Sequence, residues 1–221
     1  MMISKKIEQL NLVFSFAMLL ALGIDFYYLN ILIVPIIAAL FFMVLAGIYF
    51  DEIKQLKPLG GYANWVTSFR LLNLFIIIVL YTQLSTLQLG LWTLIVVLLD
   101  GVDGYLARKF NHESNFGAQF DMETDSFFVA VISFMLYKLN LTEIWIVIPG
   151  FMRYIYLVFV FVLGLSKKEE ILSKWSKHIA VLFFLSLISP FLLPVYLSNG
   201  LLIISSICIF YSFGFAFLKK L

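Results

Sequence analysis

The sequence consists of long apolar segments separated by short polar connections. Eight of these segments are each about 20 residues long, which is the length that an α-helix needs to cross the hydrocarbon core of a bilayer. They lack the alternation of apolar and polar residues that is typical of membrane-spanning strands. The segments are 11–28, 31–50, 64–82, 88–109, 117–137, 142–164, 176–194 and 198–217. The pattern therefore predicts an all-α, polytopic membrane helix bundle with eight spans.

The composition agrees with this fold class. Hydrophobic residues make up 63% of the 221 residues and charged residues only 13%, whereas soluble domains contain about 45–50% apolar and about 25% charged residues. An ordinary soluble domain is therefore excluded. The single cysteine, Cys208, also excludes an intrachain disulfide.

Polar segments divide the chain into three parts. The first two spans form a tight transmembrane hairpin, residues 1–50, with Asp25 near its far end. We expect the carboxylate of Asp25 to reach the membrane surface. A polar linker that contains glycines, residues 51–63, follows and is expected to be cytoplasmic. The remaining residues, 64–221, are predicted to form a six-helix core.

The basic residues predict the orientation of the spans. If the N-terminus is cytoplasmic, one side of the membrane receives only Lys138. The other side receives twelve basic residues: Lys5, Lys6, Lys54, Lys57, Arg108, Lys109, Lys167, Lys168, Lys174, Lys177, Lys219 and Lys220. Because lysine and arginine accumulate in cytoplasmic loops, both termini are predicted to be cytoplasmic. The membrane is expected to be the inner membrane of a bacterium.

Four aspartates lie at the ends of two spans that otherwise carry few charges. Asp100 and Asp103 share a face of the fourth span, and Asp121 and Asp125 share a face of the fifth. Carboxylates inside a bilayer are costly and usually functional. Four that converge repel one another unless cations neutralise them. Oxygen ligands suit Mg²⁺ or Mn²⁺, and we expect two ions, an arrangement that is typical of phosphoryl transfer.

Neighbouring residues extend this site. Gly104 and Ala107 leave space beside the carboxylates, and Arg108 can bind phosphate oxygens through two nitrogens. The third span adds polar side chains at a similar depth: Asn64, Thr67 and Arg70. Together they predict a pocket at the cytoplasmic face for a phosphate-rich, metal-bound substrate.

The spacing of these residues resembles a known family signature. The pattern D-x-x-D-G-x-x-A-R, eight residues, then G-x-x-x-D-x-x-x-D is similar to that of the CDP-alcohol phosphatidyltransferases. It is filled by Asp100, Asp103, Gly104, Ala107, Arg108, Gly117, Asp121 and Asp125. The pattern Pro-Asn-x-x-Thr-x-x-Arg is common in the first core helix of the family, and its polar positions are matched by Asn64, Thr67 and Arg70. The resemblance covers approximately residues 60–221.

This resemblance implies transfer of a phosphatidyl group from CDP-diacylglycerol to a small alcohol, with release of CMP. Asp100, Asp103 and Asp121 would bind metal, and Asp125 would bind metal and take the proton from the attacking hydroxyl. The CDP-lipid would be bound by Asn64, Thr67, Arg70, Gly104, Ala107, Arg108, Ser114 and Gly117. The family also implies a homodimer among membrane lipids. No nucleic-acid partner is expected.

Several positions leave the acceptor open. Ser126 stands where members of the family that use glycerol phosphate often have lysine, and Glu123 is expected to point away from the aspartates. Arg153, in the sixth span, is either a buried arginine paired with another residue or a cation that recognises an anionic acceptor. Lys167 is either a membrane anchor or an acceptor contact.

A different class of function also fits intramembrane carboxylates. They are common in cation and proton pathways, so a carboxylate-based transporter is the alternative to a transferase. A silent membrane scaffold is disfavoured because every carboxylate of the signature is present.

Overall fold

A computed structural model describes residues 2–28, 30–57, 59–110, 114–165 and 175–220. These residues are almost entirely helical and contain no β-strand. The helices are α1 (Met2–Tyr27), α2 (Ile33–Ile48), α3 (Phe50–Gln55), α4 (Gly61–Leu80), α5 (Thr86–Phe110), α6 (Asn115–Lys138), α7 (Val147–Gly150), α8 (Met152–Val162), α9 (Ser176–Leu192) and α10 (Val195–Lys220), with a 3₁₀ turn at Ile144–Ile146 before α7. The predicted all-α membrane bundle is confirmed.

Several of these helices can cross a membrane. Lys6–Tyr27 in α1, α4, Thr86–Ala107 in α5, and α10 are long and apolar enough, and the bent pair α7–α8 counts as one more if it is a single span. The apolar helices α2 and α9 are shorter, at 16 and 17 residues. The count of eight spans stays a prediction.

The first two helices form a hairpin whose turn is closed by Asp25. Its side chain is 1% exposed and accepts hydrogen bonds from the backbone nitrogens of Leu32 at 3.2 Å, Ile33 at 2.9 Å and Val34 at 2.9 Å. The expectation that Asp25 reaches the membrane surface is therefore wrong. The carboxylate instead satisfies N–H groups at the start of α2 that have no partner within the helix.

This hairpin packs on the remaining helices through aromatic rings. Phe14 of α1 contacts Tyr154 of α8 edge to face, with ring centroids 5.5 Å apart. Phe42 of α2 contacts Phe120 of α6 in the same way at 5.6 Å. The hairpin thus contacts both α6 and α8.

A short helix, α3, begins one residue before the predicted linker and covers its first five residues. Its residue Glu52 accepts a hydrogen bond from the backbone nitrogen of Phe116 at 3.1 Å, so α3 is tied to the first turn of α6. The next helix, α4, begins at Gly61, directly after Gly60 with its left-handed φ of 82°. The first helix of the core thus begins three residues before the boundary predicted at residue 64.

The central helix of the bundle is α6. Its residues from 127 to 136 are buried apart from Val129, and it contacts α2, α4, α7 and α9. A helix that is hydrophobic on all sides is expected to be enclosed by others. Its first half, which carries the aspartates, continues directly from this enclosed segment.

The sixth predicted span is broken. Residues Ile144–Gly150 and Met152–Val162 meet at 60°, at a Pro149–Gly150 pair of the kind that commonly bends helices. A Cβ atom added to Gly150 would lie 1.8 Å from Ser133 Oγ. Only glycine allows α7 to approach α6 this closely, and after the bend α8 packs against α1 and α10.

Candidate functional site

Three of the four predicted aspartates come together. Asp100 lies on α5, while Asp121 and Asp125 lie one turn apart on the same face of α6. Each offers one carboxylate oxygen, and these oxygens lie within 4.8 Å of one another. Asp103 follows Asp100 by one turn on α5, but its side chain lies outside the described part of the structure.

One arginine connects the three carboxylates. The side chain of Arg70, on α4, is 1% exposed. Its Nη1 atom lies 2.8 Å from Asp100 Oδ1 and 3.0 Å from Asp121 Oδ1. Its Nη2 atom lies 2.7 Å from Asp125 Oδ1. The planar fork of a guanidinium suits such multiple contacts. The site is therefore assembled from α4, α5 and α6, with a positive charge at its buried side.

The donor set fits a divalent cation. Carboxylate oxygens are the ligands that Mg²⁺ and Mn²⁺ prefer. When ionised, the three described carboxylates carry three negative charges against the one positive charge of Arg70, and their side chains are 28%, 42% and 30% exposed. The group is thus reachable from outside and retains negative charge that a metal ion can neutralise.

The start of α6 brings together three more predicted residues. Ser114 caps the helix, its Oγ accepting from Gly117 N at 2.9 Å. Asn64 donates from Nδ2 to Gly60 O at 2.7 Å. A Cβ atom on Gly117 would lie 2.8 Å from Asn64 Oδ1 and 3.0 Å from Ser114 Oγ, so glycine is what permits this close packing of α4 against α6.

The structure describes the remaining residues predicted to bind substrate only in part. Thr67 is buried on α4 and donates to Ala63 O at 3.2 Å. Gly104 and Ala107 are partly exposed on α5, and Gly104 directly follows Asp103. The side chain of Arg108 and the whole of Lys167 lie outside the described residues.

A second charged pair lies on another face of α6. Arg153 Nη2 is 2.5 Å from Glu123 Oε1, and the same oxygen accepts from Gln119 Nε2 at 3.0 Å. The Glu123 side chain is 1% exposed and that of Arg153 is 20% exposed. Glu123 thus points away from the aspartates as expected, and Arg153 is a paired arginine that keeps limited access to the outside.

Between these two charged groups lies a cavity of about 190 Å³. Its walls come from α6, α7, α8, α9 and α10 and are mostly apolar. Both Asp125 and Arg153 line it, as does Ser126. The sequence did not predict this cavity, because most of its walls are apolar residues from spans that are far apart in the chain. The sequence feature that pointed to it was the presence of two single charges, Glu123 and Arg153, within apolar spans.

Comparison with known proteins supports the resemblance found in the sequence. A family model described as CDP-alcohol phosphatidyltransferase matches residues 61–215. The chain belongs to this family. The match begins where α4 begins, so every described site residue falls within the CDP-alcohol phosphatidyltransferase region and the hairpin α1–α2 lies outside it.

Two bacterial proteins are similar to part of this chain. Proteins from Rickettsia typhi and Rickettsia prowazekii, each named CDP-diacylglycerol–glycerol-3-phosphate 3-phosphatidyltransferase, are 36% identical to this chain over 78 residues. The matched stretch covers 34% of this chain and less than half of each relative, 44% and 43%. This similarity therefore concerns a part of each CDP-alcohol phosphatidyltransferase and not its whole length.

Proposed function

We propose that this protein transfers a phosphatidyl group from CDP-diacylglycerol to the hydroxyl group of an alcohol, with release of CMP. One observation supports this above the others. Asp125 belongs both to the carboxylate group on α5 and α6 and to the wall of the 190 Å³ cavity. The carboxylate of Asp125 would therefore contact both a metal-bound phosphate at the carboxylate group and a small acceptor in the cavity.

The aspartates are proposed to hold two Mg²⁺ or Mn²⁺ ions through Asp100, Asp103, Asp121 and Asp125. When bound, such ions would neutralise charge on the pyrophosphate of the donor. The role of Arg70 follows from its contacts, because it holds three of the carboxylates in one arrangement. Pre-organisation of this kind lowers the cost of bringing the donor into position.

Donor binding is proposed for the residues around the start of α4 and α6. The CDP-lipid would be held by Asn64, Thr67, Arg70, Gly104, Ala107, Arg108, Ser114 and Gly117. The close packing of Asn64, Ser114 and Gly117 supports a shared surface for the nucleotide. The acyl chains would remain among membrane lipids.

Asp125 is proposed to act as the base. The hydroxyl oxygen of the acceptor forms a bond to the phosphorus on the lipid side of the pyrophosphate, the bond from that phosphorus to CMP breaks, and Asp125 takes the hydroxyl proton. A general base must lie within hydrogen-bond reach of the proton that it removes. The cavity beside Asp125 provides a place for such a hydroxyl.

The setting of the reaction is also a proposal. The distribution of lysine and arginine favours cytoplasmic termini and a cytoplasmic active site in a bacterial inner membrane. Family membership favours a homodimer. The names of the two relatives offer glycerol 3-phosphate as one candidate acceptor, with Arg153 and Lys167 as candidate acceptor contacts.

The test is release of CMP by purified protein from labelled CDP-diacylglycerol, with Mg²⁺ or Mn²⁺ and a panel of alcohols. Replacing Asp125 by Asn is expected to lower turnover at least 100-fold at saturating metal ion, since a neutral amide cannot take the proton. Asp51→Asn on the exposed surface of α3 is the matched control. Full turnover by Asp125→Asn would refute the base. Ion flux across vesicles without CMP release would favour the transporter instead.

A further inference from the structure

The cavity beside Asp125 differs in chemistry from the donor site. Most of its wall is apolar, including Phe183 and Phe184 of α9. In the part of its wall that the structure describes, the polar side chains are those of Asp125, Ser126 and Arg153. At about 190 Å³ it is smaller than pockets for drug-sized ligands, which measure about 300–1,000 Å³, so it suits a small molecule.

The positive charge of this cavity is already neutralised. Among the described residues that line it, Arg153 is the only cation. Its guanidinium pairs with Glu123, which is 1% exposed and is held from the other side by Gln119. A buried carboxylate that lost this partner would be left uncompensated, which is strongly unfavourable. Arg153 is therefore committed to Glu123 and has little charge to offer a ligand.

A phosphorylated acceptor would meet an unfavourable environment here. A phosphate monoester carries up to two negative charges, whereas the walls are mostly apolar and the cation among the described lining residues, Arg153, is already paired with Glu123. Burying a charge without a partner of opposite sign is strongly unfavourable. To neutralise the phosphate, Arg153 would have to leave Glu123 and so leave that buried carboxylate uncompensated.

We infer that the acceptor is a small hydroxyl compound without a phosphate group, and that Glu123 sets this preference through Arg153. The inference rests on the proposed phosphatidyl transfer. An uncharged acceptor places its reacting hydroxyl on Asp125 and leaves the ion pair intact. Ser126 can accept a further hydrogen bond, because its own hydroxyl proton is donated to Met122 O at 2.8 Å. Glu123 is thus a positioning residue for specificity and not a catalytic one.

The test compares acceptors in matched pairs that differ only in a phosphate. Glycerol is compared with sn-glycerol 3-phosphate, and inositol with inositol 1-phosphate, with serine as a third unphosphorylated alcohol. CMP release is followed in the full-length protein with labelled CDP-diacylglycerol. We expect kcat/KM to be at least tenfold higher for an unphosphorylated acceptor than for its phosphorylated counterpart.

Two variants test the cause of this preference. Glu123→Gln removes the carboxylate that neutralises Arg153, with Glu143→Gln on the exposed loop as its control. Ser126→Lys adds a cation to the cavity wall without disturbing the ion pair, and Ser126→Met is the control for side-chain size. Each test variant is expected to shift the ratio of kcat/KM values at least tenfold toward the phosphorylated acceptor, mainly through a lower acceptor KM. Neither control should shift it.

The possible outcomes separate the two proposals. CMP release chiefly with phosphorylated acceptors would overturn the inference about the acceptor and leave phosphatidyl transfer standing. An unchanged ratio in both Glu123→Gln and Ser126→Lys, measured on folded protein, would overturn the role of Glu123 and of charge in the cavity. Absence of CMP release with every acceptor, despite donor binding, would overturn the proposed reaction and this inference with it.

Discussion

Replacing Arg70 by Gln is expected to destabilise the protein most when divalent cations are absent. In the wild type its guanidinium lies 2.8, 3.0 and 2.7 Å from carboxylate oxygens of Asp100, Asp121 and Asp125. Glutamine can donate a hydrogen bond but carries no charge. The variant would therefore leave three adjacent carboxylates to repel one another at the interface of α4, α5 and α6.

The size of the effect follows from burial and distance. A single pair of charges at the 2.8 Å separation of Arg70 and Asp100 has a gross Coulomb energy of about 6 kcal/mol at an effective dielectric constant of about 20. Measured losses on removing one partner of a buried ion pair are smaller, about 3–5 kcal/mol. The three carboxylates are 28–42% exposed, so water screens their charges. We therefore expect a loss of about 3–5 kcal/mol for all three contacts of Arg70 together. At roughly 2–4 °C per kcal/mol for a chain of this length, the midpoint of unfolding should fall by about 10 °C.

The assay is thermal unfolding of purified protein in detergent, once with a chelator and once with Mn²⁺. Because a ligand that binds the folded state stabilises it, Mn²⁺ should raise the midpoint of Arg70→Gln more than that of the wild type. Arg70→Lys, which keeps the charge but loses the fork, should lie between the two. Lys57→Gln, at an exposed position, is the control for loss of one positive charge.

Two results would refute this reasoning. An unchanged midpoint of Arg70→Gln in the chelator would mean that the arginine does not hold the carboxylates in place. An equal response to Mn²⁺ in wild type and variant would mean that the ion does not bind at these carboxylates.

The other predictions concern the parts of the fold that position the site. Asp25→Ala should lower the free energy of unfolding by about 2 kcal/mol, a typical loss for a helix cap that is also a charged hydrogen-bond acceptor. Thermal unfolding checks this, with Asn30→Ala as the control. Equal unfolding midpoints of the two variants would contradict the capping role of Asp25. Gly150→Ala should unfold at a clearly lower temperature than Gly47→Ala, because the new Cβ would lie 1.8 Å from Ser133 Oγ whereas Gly47 has no atom within 4 Å of its Cβ position. Adding Ser133→Gly to Gly150→Ala should recover part of the loss; no recovery would mean that another contact causes it.

The carboxylate stripes could be predicted because helical periodicity alone places them. Asp121 and Asp125 are four residues apart, and a short loop joins their helix to that of Asp100, so the three were expected to converge and do. The position of Arg70 within this group could not be predicted to the same extent. Its depth was visible in the sequence, but its contact with all three carboxylates depends on how α4 packs against α5 and α6.

Other features depended on tertiary contacts that no local pattern encodes. The sequence left two interpretations of Arg153, and its pairing with Glu123 became visible only when α7 and α8 were placed against α6. For Asp25 the hydrophobic pattern was misleading, since a polar residue near the end of a span is usually exposed. Here the backbone of the following turn folds back and surrounds the carboxylate.

The hairpin outside the family match contributes to the geometry of the site. Phe42 of α2 packs on Phe120 of α6, one residue before Asp121, and Glu52 of α3 holds the first turn of the same helix through Phe116 N. Phe14 of α1 packs on Tyr154, the neighbour of Arg153. Catalysis is sensitive to displacements of about 1 Å. Because α1 packs on α8 while α2 and α3 contact α6, these helices help to fix the positions of the carboxylates and of the cavity wall. We infer that the hairpin is part of the rigid scaffold of the site and that the matched core alone would hold these side chains less precisely.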